Sequence, residues 1–415
     1  MKITIIGSGA QGTGLAGLLS MEPDVETLTI ADYSQNALDK AKELIETLGN
    51  RIITRNIHYQ TVNAGDVDDV SRVIRGSDIC FHAILPRFNL PIMQACLREK
   101  VHYLDLIALP CEGPGMAREE TIGAQLELGD AFREKGLIAI PSVGISPGWT
   151  LFAAANMIDE VDTVNEVVIR WSDYLDTEEF TSSINPGFML SEWLGAPYPS
   201  AWKDNDIVAE DLLESEEEFE FPAPIGKRKI YTCTSQPDIM MIPSFSPKEI
   251  PYCVEKGGVN LGNMGPKDIW LKAVQKAVSA QGDDVWNINM LDEFGKTMIP
   301  PLEQDRLFKE GKIRDHATCF SVEVNGYKNG QFIRHIQYNS CTKATALKHL
   351  PWGTPAVYDT VGGLPIILIL MIGRGQLTQR GVFSAGQLDI RSEIQKALIE
   401  RDQDITEKII RSCTD

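Results

Sequence analysis

No C-x-x-C pair joins any two of the eight cysteines, Cys80, Cys96, Cys111, Cys233, Cys253, Cys319, Cys341 and Cys413. Neither a structural zinc site nor a disulfide framework has a pattern to build on, and the thiols read as reduced packing residues of a cytoplasmic protein. H-E-x-x-H is also absent, as is any defensible Ser, His and Asp spacing, so no metal is expected and no hydrolytic triad. Positive charge is short: 39 Lys and Arg stand against 58 Asp and Glu, a net charge of -19. Nucleic acid and anionic membrane are therefore poor partners, and a small metabolite is the better expectation. No apolar run approaches the ~20 residues of a membrane-spanning helix. The longest, Leu364 to Ile372, reads as a buried helix. Strand-like sequence begins at residue 3, which leaves no room for a signal peptide. No internal repeat or low-complexity tract interrupts the chain.

With 415 residues, 43% of them hydrophobic, the chain can bury a core divided between two domains. Its first twelve residues run from an apolar strand into Gly7-Ser8-Gly9-Ala10-Gln11-Gly12, a G-x-G-x-x-G, and Asp32 closes a second apolar strand 20 positions after Gly12. Each glycine has a physical task. Gly7 permits a tight turn, Gly9 lets backbone approach a pyrophosphate, and Gly12 lets the next helix pack against its strand. The helix start, at Ala10 and Gln11, then turns free N–H groups and the positive end of its dipole toward phosphate. A carboxylate at Asp32 accepts hydrogen bonds from both ribose hydroxyls and repels a 2′-phosphate, and Tyr33 and Ser34 supply no arginine to hold one. NAD is favoured, and Lys40 and Lys42 keep NADP open.

Strand-like and helical segments alternate through six strands up to Leu137 to Pro141, predicting a doubly wound parallel Rossmann sheet over residues 1–150. Ligands on such sheets bind beyond the carboxyl ends of the strands. That rule selects Asp66 and Val67 for adenine, Leu85, Pro86 and Phe88 for the ribose or nicotinamide wall, and Asp105, Gly144 and Pro147 for the deeper cleft. Asp66 equally suits a helix cap, and Pro86 a strand end. Residues 151–354 read as an α+β substrate domain, with a hairpin turn across Asn325 to Gly330. The acidic stretch 204–220 reads as a solvated loop or helix face. Residues 355–415 read as helices returning to the first domain.

Several segments together resemble the saccharopine dehydrogenase-like family. They are Gln94-Ala95-Cys96-Leu97-Arg98-Glu99-Lys100-Val101-His102-Tyr103-Leu104-Asp105, then Pro141-Ser142-Val143-Gly144-Ile145-Ser146-Pro147-Gly148, then Thr360-Val361-Gly362-Gly363-Leu364-Pro365 with Gly381-Val382-Phe383. Ser146 stands where many relatives carry aspartate, and Ala385-Gly386-Gln387 lacks a Pro-Glu common there. The resemblance implies hydride transfer at a carbon–nitrogen bond of an amino-acid or opine-like substrate, and a homodimer. An NAD-binding regulatory or scaffold protein of the same fold, and a reductase of carbon–carbon double bonds, are the alternatives. Asp105, His102, Ser146 and Tyr231 are the candidates for proton exchange or substrate contact, with Arg314 and His316 as further polar residues flanking strands. An arginine for a substrate carboxylate would come from Arg87, Arg170, Arg228 or Arg314.

Overall fold

The computed structural model describes residues 1–110, 121–194, 199–234, 236–281 and 296–411. The amino-terminal domain is a seven-stranded parallel sheet. Its strands are β1 Lys2–Ile6, β2 Thr27–Asp32, β3 Asn56–Thr61, β4 Ile79–His82, β5 His102–Asp105, β6 Ile138–Ile140 and β15 Gly381–Val382, in the spatial order β15-β6-β5-β4-β1-β2-β3. Strand order reverses between β1 and β4, so a crevice opens where their carboxyl ends diverge. The helices α1 Ala10–Ser20, α2 Gln35–Glu46, α3 Val67–Ile74 and α4 Asn89–Glu99 cross between strands. Two short helices, Ile122–Leu126 and Gly129–Glu134, fill the connection before β6.

Glycine sets how closely α1 is packed on two sides. A Cβ at Gly12 would lie 1.8 Å from the Gly7 carbonyl oxygen, and one at Gly14 only 2.4 Å from Val357 Cγ1. The first contact presses α1 onto its strand, and the second seats the helix Pro355–Val361 against its outer face.

The second sheet collects β7 Thr163–Thr177, β8 Ser200–Lys203, β9 Asp206–Ala209, β10 Glu217–Phe221, β11 Gly226–Thr232, β12 Tyr252–Leu261, β13 Ile313–Lys328, β14 Gln331–Thr342 and β16 Asp404–Arg411. Its path is β10-β11-β12-β7-β13-β14-β16, with β8 and β9 branching from β12. The 204–220 stretch is thus mostly strand and turn at this sheet's margin, not a helix face. The hairpin turn is tighter than read: Lys328 pairs with Gln331, and Asn329 and Gly330 have φ of 52° and 77°. Two-residue turns with both φ positive match the twist of the strands they join.

The last stretch is not all helix. Gly381–Val382 extends the first sheet and Asp404–Arg411 the second, so the carboxyl-terminal segment ties the two sheets together. The apolar run is also longer than read: Pro355–Gly373 spans 19 residues, 89% of its most apolar window buried inside the protein. Leu364–Gly373 packs every residue from Leu364 to Ile372 out of solvent, as a core helix seated among α1, the helix Pro355–Val361 and the helix Arg391–Glu400 does.

Candidate active site

The loop after β1 has a geometry that fits a diphosphate. Gly7 sits at φ 105°, and a Cβ there would lie 2.8 Å from the Ala83 carbonyl, so β4 and the loop close on each other only because Gly7 has no side chain. A Cβ at Gly9 would meet no atom within 4 Å, which leaves its backbone open to a ligand. Gly9 caps α1 with no side-chain hydrogen bond, and the first turn carries no acidic residue, so the helix end keeps its attraction for anions. Asp32 Oδ2 accepts the Ser8 N–H at 2.7 Å and the Ser8 hydroxyl at 3.0 Å, while Oδ1 accepts Ser34 N–H at 3.0 Å. This fixes the carboxylate against the glycine loop with acceptor capacity left on Oδ1. Tyr33 is 87% exposed beside it. These residues fit a dinucleotide: a bare helix end for phosphates, and an oriented acceptor for ribose hydroxyls.

Asp66 caps α3 through the N–H groups of Asp68 and Asp69, which occupies its side chain and leaves Val67 backbone at the rim. Leu85 is exposed and Pro86 opens a short 3-10 turn to Phe88, whose ring lies beside Gly65 with the Arg87 guanidinium 4.9 Å from its centroid. Gln11 donates to the Ala356 carbonyl at 3.3 Å, so it links α1 to the carboxyl-terminal segment.

Asp105 and His102 lie at opposite ends of β5 and do not come together. Asp105 is fully buried, with Oδ2 accepting from Tyr103 Oη at 2.6 Å, Gln125 Nε2 at 3.0 Å and Asn89 Nδ2 at 3.3 Å, and Oδ1 accepting Ser142 N–H at 2.8 Å. Such a saturated carboxyl anchors the loops after β5 and β6. His82 completes the network: its Nδ1 accepts Ile84 N–H, so its Nε2 carries the proton shared with Asn89 Oδ1 at 2.7 Å. Burial pushes the His82 pKa down and that of Asp105 up. His102 Nδ1 accepts the Ile138 N–H at 3.0 Å at the amino end of the strand, away from the crevice. Its role is to bridge two strands.

The loop holding Gly144 and Pro147 crosses to the second sheet, where Ser146 Oγ donates to Glu255 Oε1 at 3.1 Å. Side chains alternate along strands, so Glu255 of β12 shares a face with Trp171 and Asp173 of β7. Gly257 clears the way for that indole, since a Cβ there would lie 1.9 Å from Trp171 Cε2. Trp171 packs 5.4 Å from Trp193, Trp193 5.5 Å from Trp270, and Trp171 5.9 Å from Phe320. Tyr231 packs 5.0 Å from Trp270, but its hydroxyl turns outward and donates to Glu216 at 2.5 Å.

Two further carboxyls close on Glu255. Glu192 bonds Gln236, and Asp238 accepts from Thr150 Oγ1 at 2.5 Å. Among the described residues, no Lys, Arg or His nitrogen pairs with any of the three, and Glu255 Oε2 and Asp238 Oδ2 have no hydrogen-bond partner. Burial raises the pKa of Glu192 to about 8, with the Asp238 charge adding to it. Asp238 rises to about 7 by burial, and Glu255 is pushed well up by burial and by both neighbours. Three buried acids beside indoles, with no paired cation among the described residues, have the chemistry that suits a positively charged ligand.

None of these three carboxyls, nor the indoles, is singled out by sequence pattern. The arginines considered there are engaged elsewhere or remote: Arg170 is locked between Glu217 and Glu323, Arg314 pairs with Asp176, and Arg228 lies over Tyr174.

A parallel sheet with a glycine-rich loop at its switch point, docked on a second sheet that carries a buried cluster of acids and indoles, defines a two-domain nicotinamide-dinucleotide-binding protein. Residues 3–140 match the family described as the saccharopine dehydrogenase NADP binding domain, so the amino-terminal third is such a domain, as the resemblance in the sequence implies. The chain is 28% identical over 404 residues to carboxynorspermidine synthase of Vibrio cholerae, covering 94% of this chain and 92% of that one. It is 23% identical over 410 residues to carboxyaminopropylagmatine dehydrogenase of Synechocystis, covering 94% and 93%. The fold is that of saccharopine dehydrogenase (L-Glu forming) from Saccharomyces cerevisiae, with a TM-score of 0.67 at 12% identity and 99% of both chains covered. Homospermidine synthase of Legionella pneumophila, solved with NAD, superposes with a TM-score of 0.66 at 11% identity, over 99% of this chain and 91% of that one.

Proposed function

We propose that this protein is an NAD(P)-dependent oxidoreductase that transfers hydride at a carbon–nitrogen bond of a small amine bearing a second cationic group. One observation carries the reading: Glu192, Asp238 and Glu255 are buried together with no cation paired to them among the described residues, against Trp171, Trp193 and Trp270, and Ser146 joins Glu255 to the cofactor domain. An ammonium group would supply the missing charge and lie on aromatic faces. The relatives' names, which speak of norspermidine, agmatine and homospermidine, point to the same class of nitrogen-rich substrate. An amino-acid substrate held by an arginine has less support, since Arg170, Arg228 and Arg314 all face other partners. The acids also argue against reduction of a carbon–carbon double bond, which calls for an apolar pocket.

The glycine loop and the α1 end would hold the diphosphate, and Asp32 the adenosine ribose. When bound, the nicotinamide accepts or supplies the hydride. The chain's own part is to fix the distal cation on the three carboxyls, hold the reacting carbon within roughly 3.5 Å of the ring, and exclude water with the indoles. The family description names NADP, whereas the fixed carboxylate of Asp32 would face a 2′-phosphate; NAD is accordingly the cofactor we assign.

Turnover tests the reading. With NAD and a set of diamines, amino acids and monoamines, and with the reduced cofactor and the matching aldehydes, diamines are expected to give the highest kcat/KM, at least tenfold above monoamines of equal length. Equal rates for monoamines, or no change in nicotinamide absorbance with any amine, would contradict it.

A further inference from the structure

A second polar cluster lies one pleat along from the indoles, on the same face of β7, and the reading above gives it no task. Asp173 Oδ1 bonds His316 Nε2 at 2.8 Å, with Ser183 Oγ 3.4 Å from the same nitrogen. Thr318, the register partner of Asp173 on β13, donates through Oγ1 to Asp359 Oδ2 at 2.9 Å. Asp359 is 2% exposed, and its Oδ1 has no partner among the described residues. Among the described residues, no Lys or Arg within 4.0 Å neutralises either aspartate there.

Position gives the pair its meaning. Asp359 sits on the helix Pro355–Val361, which touches the cofactor domain at two places besides the seat of Val357 on Gly14. Ala356 receives the Gln11 side chain from the diphosphate loop, and the Thr360 methyl would lie 3.5 Å from a Cβ at Gly144. Asp359 therefore stands between the dinucleotide loops on one side and the amine pocket on the other. Its neighbour Asp173 is two residues, about 6.6–6.8 Å, along the strand from Trp171.

We propose that Asp359 exchanges the proton with the substrate nitrogen, and that Asp173, held by His316, is the positioning carboxylate that governs it. The inference rests on the carbon–nitrogen reading. In the oxidising direction the C–H bond breaks with its electron pair passing to the nicotinamide. The N–H bond breaks with its proton passing to Asp359, and the nitrogen electrons form the C=N bond. Reduction returns the same proton and electron pair. Burial, with the Asp173 charge adding to it and the Thr318 hydrogen bond opposing it, places the Asp359 pKa at about 7, where a group both gives and takes a proton near neutrality. The titratable groups tied to it are Asp173 from β7, which His316 bonds, and the thiols of Cys341 from β14 and, across the sheet, Cys319 from β13, both held neutral by burial.

The test is the pH profile of kcat/KM for amine oxidation in the wild-type protein and in D359N, D173N and T318V. Wild type is expected to rise through a limb near 7. D359N should lose at least 100-fold in kcat, with NAD affinity and amine KM within threefold, and D359E should recover part of the rate. D173N should move the limb to lower pH, and T318V to higher pH, a shift that a purely structural role would not produce. If D359N fails to fold, the opposite displacements in D173N and T318V decide the matter. A D359N rate within threefold of wild type, or a limb unmoved in both D173N and T318V, overturns the assignment alone. Absence of wild-type turnover with every amine overturns the carbon–nitrogen reading, and this assignment with it.

Discussion

Ser146 and Glu255 join the two domains through one hydrogen bond of 3.1 Å, from a loop of the first sheet to a buried carboxyl of the second. Removing the charge while keeping the shape isolates what Glu255 does. Glu255→Gln is expected to raise the KM for a diamine at least tenfold, about 1.4 kcal/mol, and to leave NAD affinity within threefold. Steady-state kinetics with a parallel cofactor titration check both numbers, and an unchanged KM would remove Glu255 from amine recognition.

Gly257 exists to accommodate an indole. In Gly257→Ala the new methyl would require Trp171 to leave its place, since 1.9 Å is far inside contact distance. Overpacking of this kind costs typically 1–3 kcal/mol. A lowered melting temperature is expected, with a change in near-ultraviolet circular dichroism and a weaker response to amine. A variant that melts and binds like the wild type would show that the ring has room to turn.

Cofactor choice rests on the residues after β2. Asp32→Ser combined with Tyr33→Arg removes the carboxylate and introduces a partner for a 2′-phosphate. The ratio of NADP to NAD affinity should rise at least tenfold, measured by titration against each nucleotide. Ser8 loses its anchor in the same variant, so NAD affinity should fall as well.

The buried acids predict a direction for stability with pH. Glu192 and Asp238 titrate at about 8 and about 7 when folded, above their ordinary values of 4.5 and 3.8. The folded state thus binds more protons than the unfolded one across that window, and stability falls as pH rises from the ordinary carboxylate range to about 8. Melting temperature should decline over this interval, and Glu192→Gln should flatten part of the decline. Saturating diamine should restore stability most at the high end, where the carboxylates are charged. A melting temperature that climbs from the carboxylate range to about 8 would contradict the assignment of these groups as cation-free.

How much of this was legible in the chain follows from range. The glycine loop is contiguous, so spacing alone declares the turn of Gly7, Gly9 and Gly12 and sets Asp32 at the strand end where it bonds Ser8. Alternating strands and helices likewise declare the first sheet, except β15: two residues, Gly381–Val382, carry too little pattern to show that they return to it. The cluster of acids and indoles is different in kind. Glu192, Asp238 and Glu255 come from three elements, and Trp171, Trp193 and Trp270 from three as well, so no spacing brings them together. Only Glu255 leaves a trace: it is a lone acid in the apolar run Tyr252-Cys253-Val254-Glu255, on the inward parity of its strand. His102 shows the converse, a residue conspicuous in sequence whose end of β5 points away from the crevice.

The central claim is that the indole and carboxyl pocket holds an amine against the nicotinamide, and a crystal structure with NAD and a diamine tests it most directly. One ligand nitrogen is expected within hydrogen-bond distance of Glu192 or Glu255, and the carbon bearing the other nitrogen within roughly 3.5 Å of the nicotinamide ring. A diamine bound elsewhere, or lying in the pocket with its carbons turned away from the ring, would contradict it.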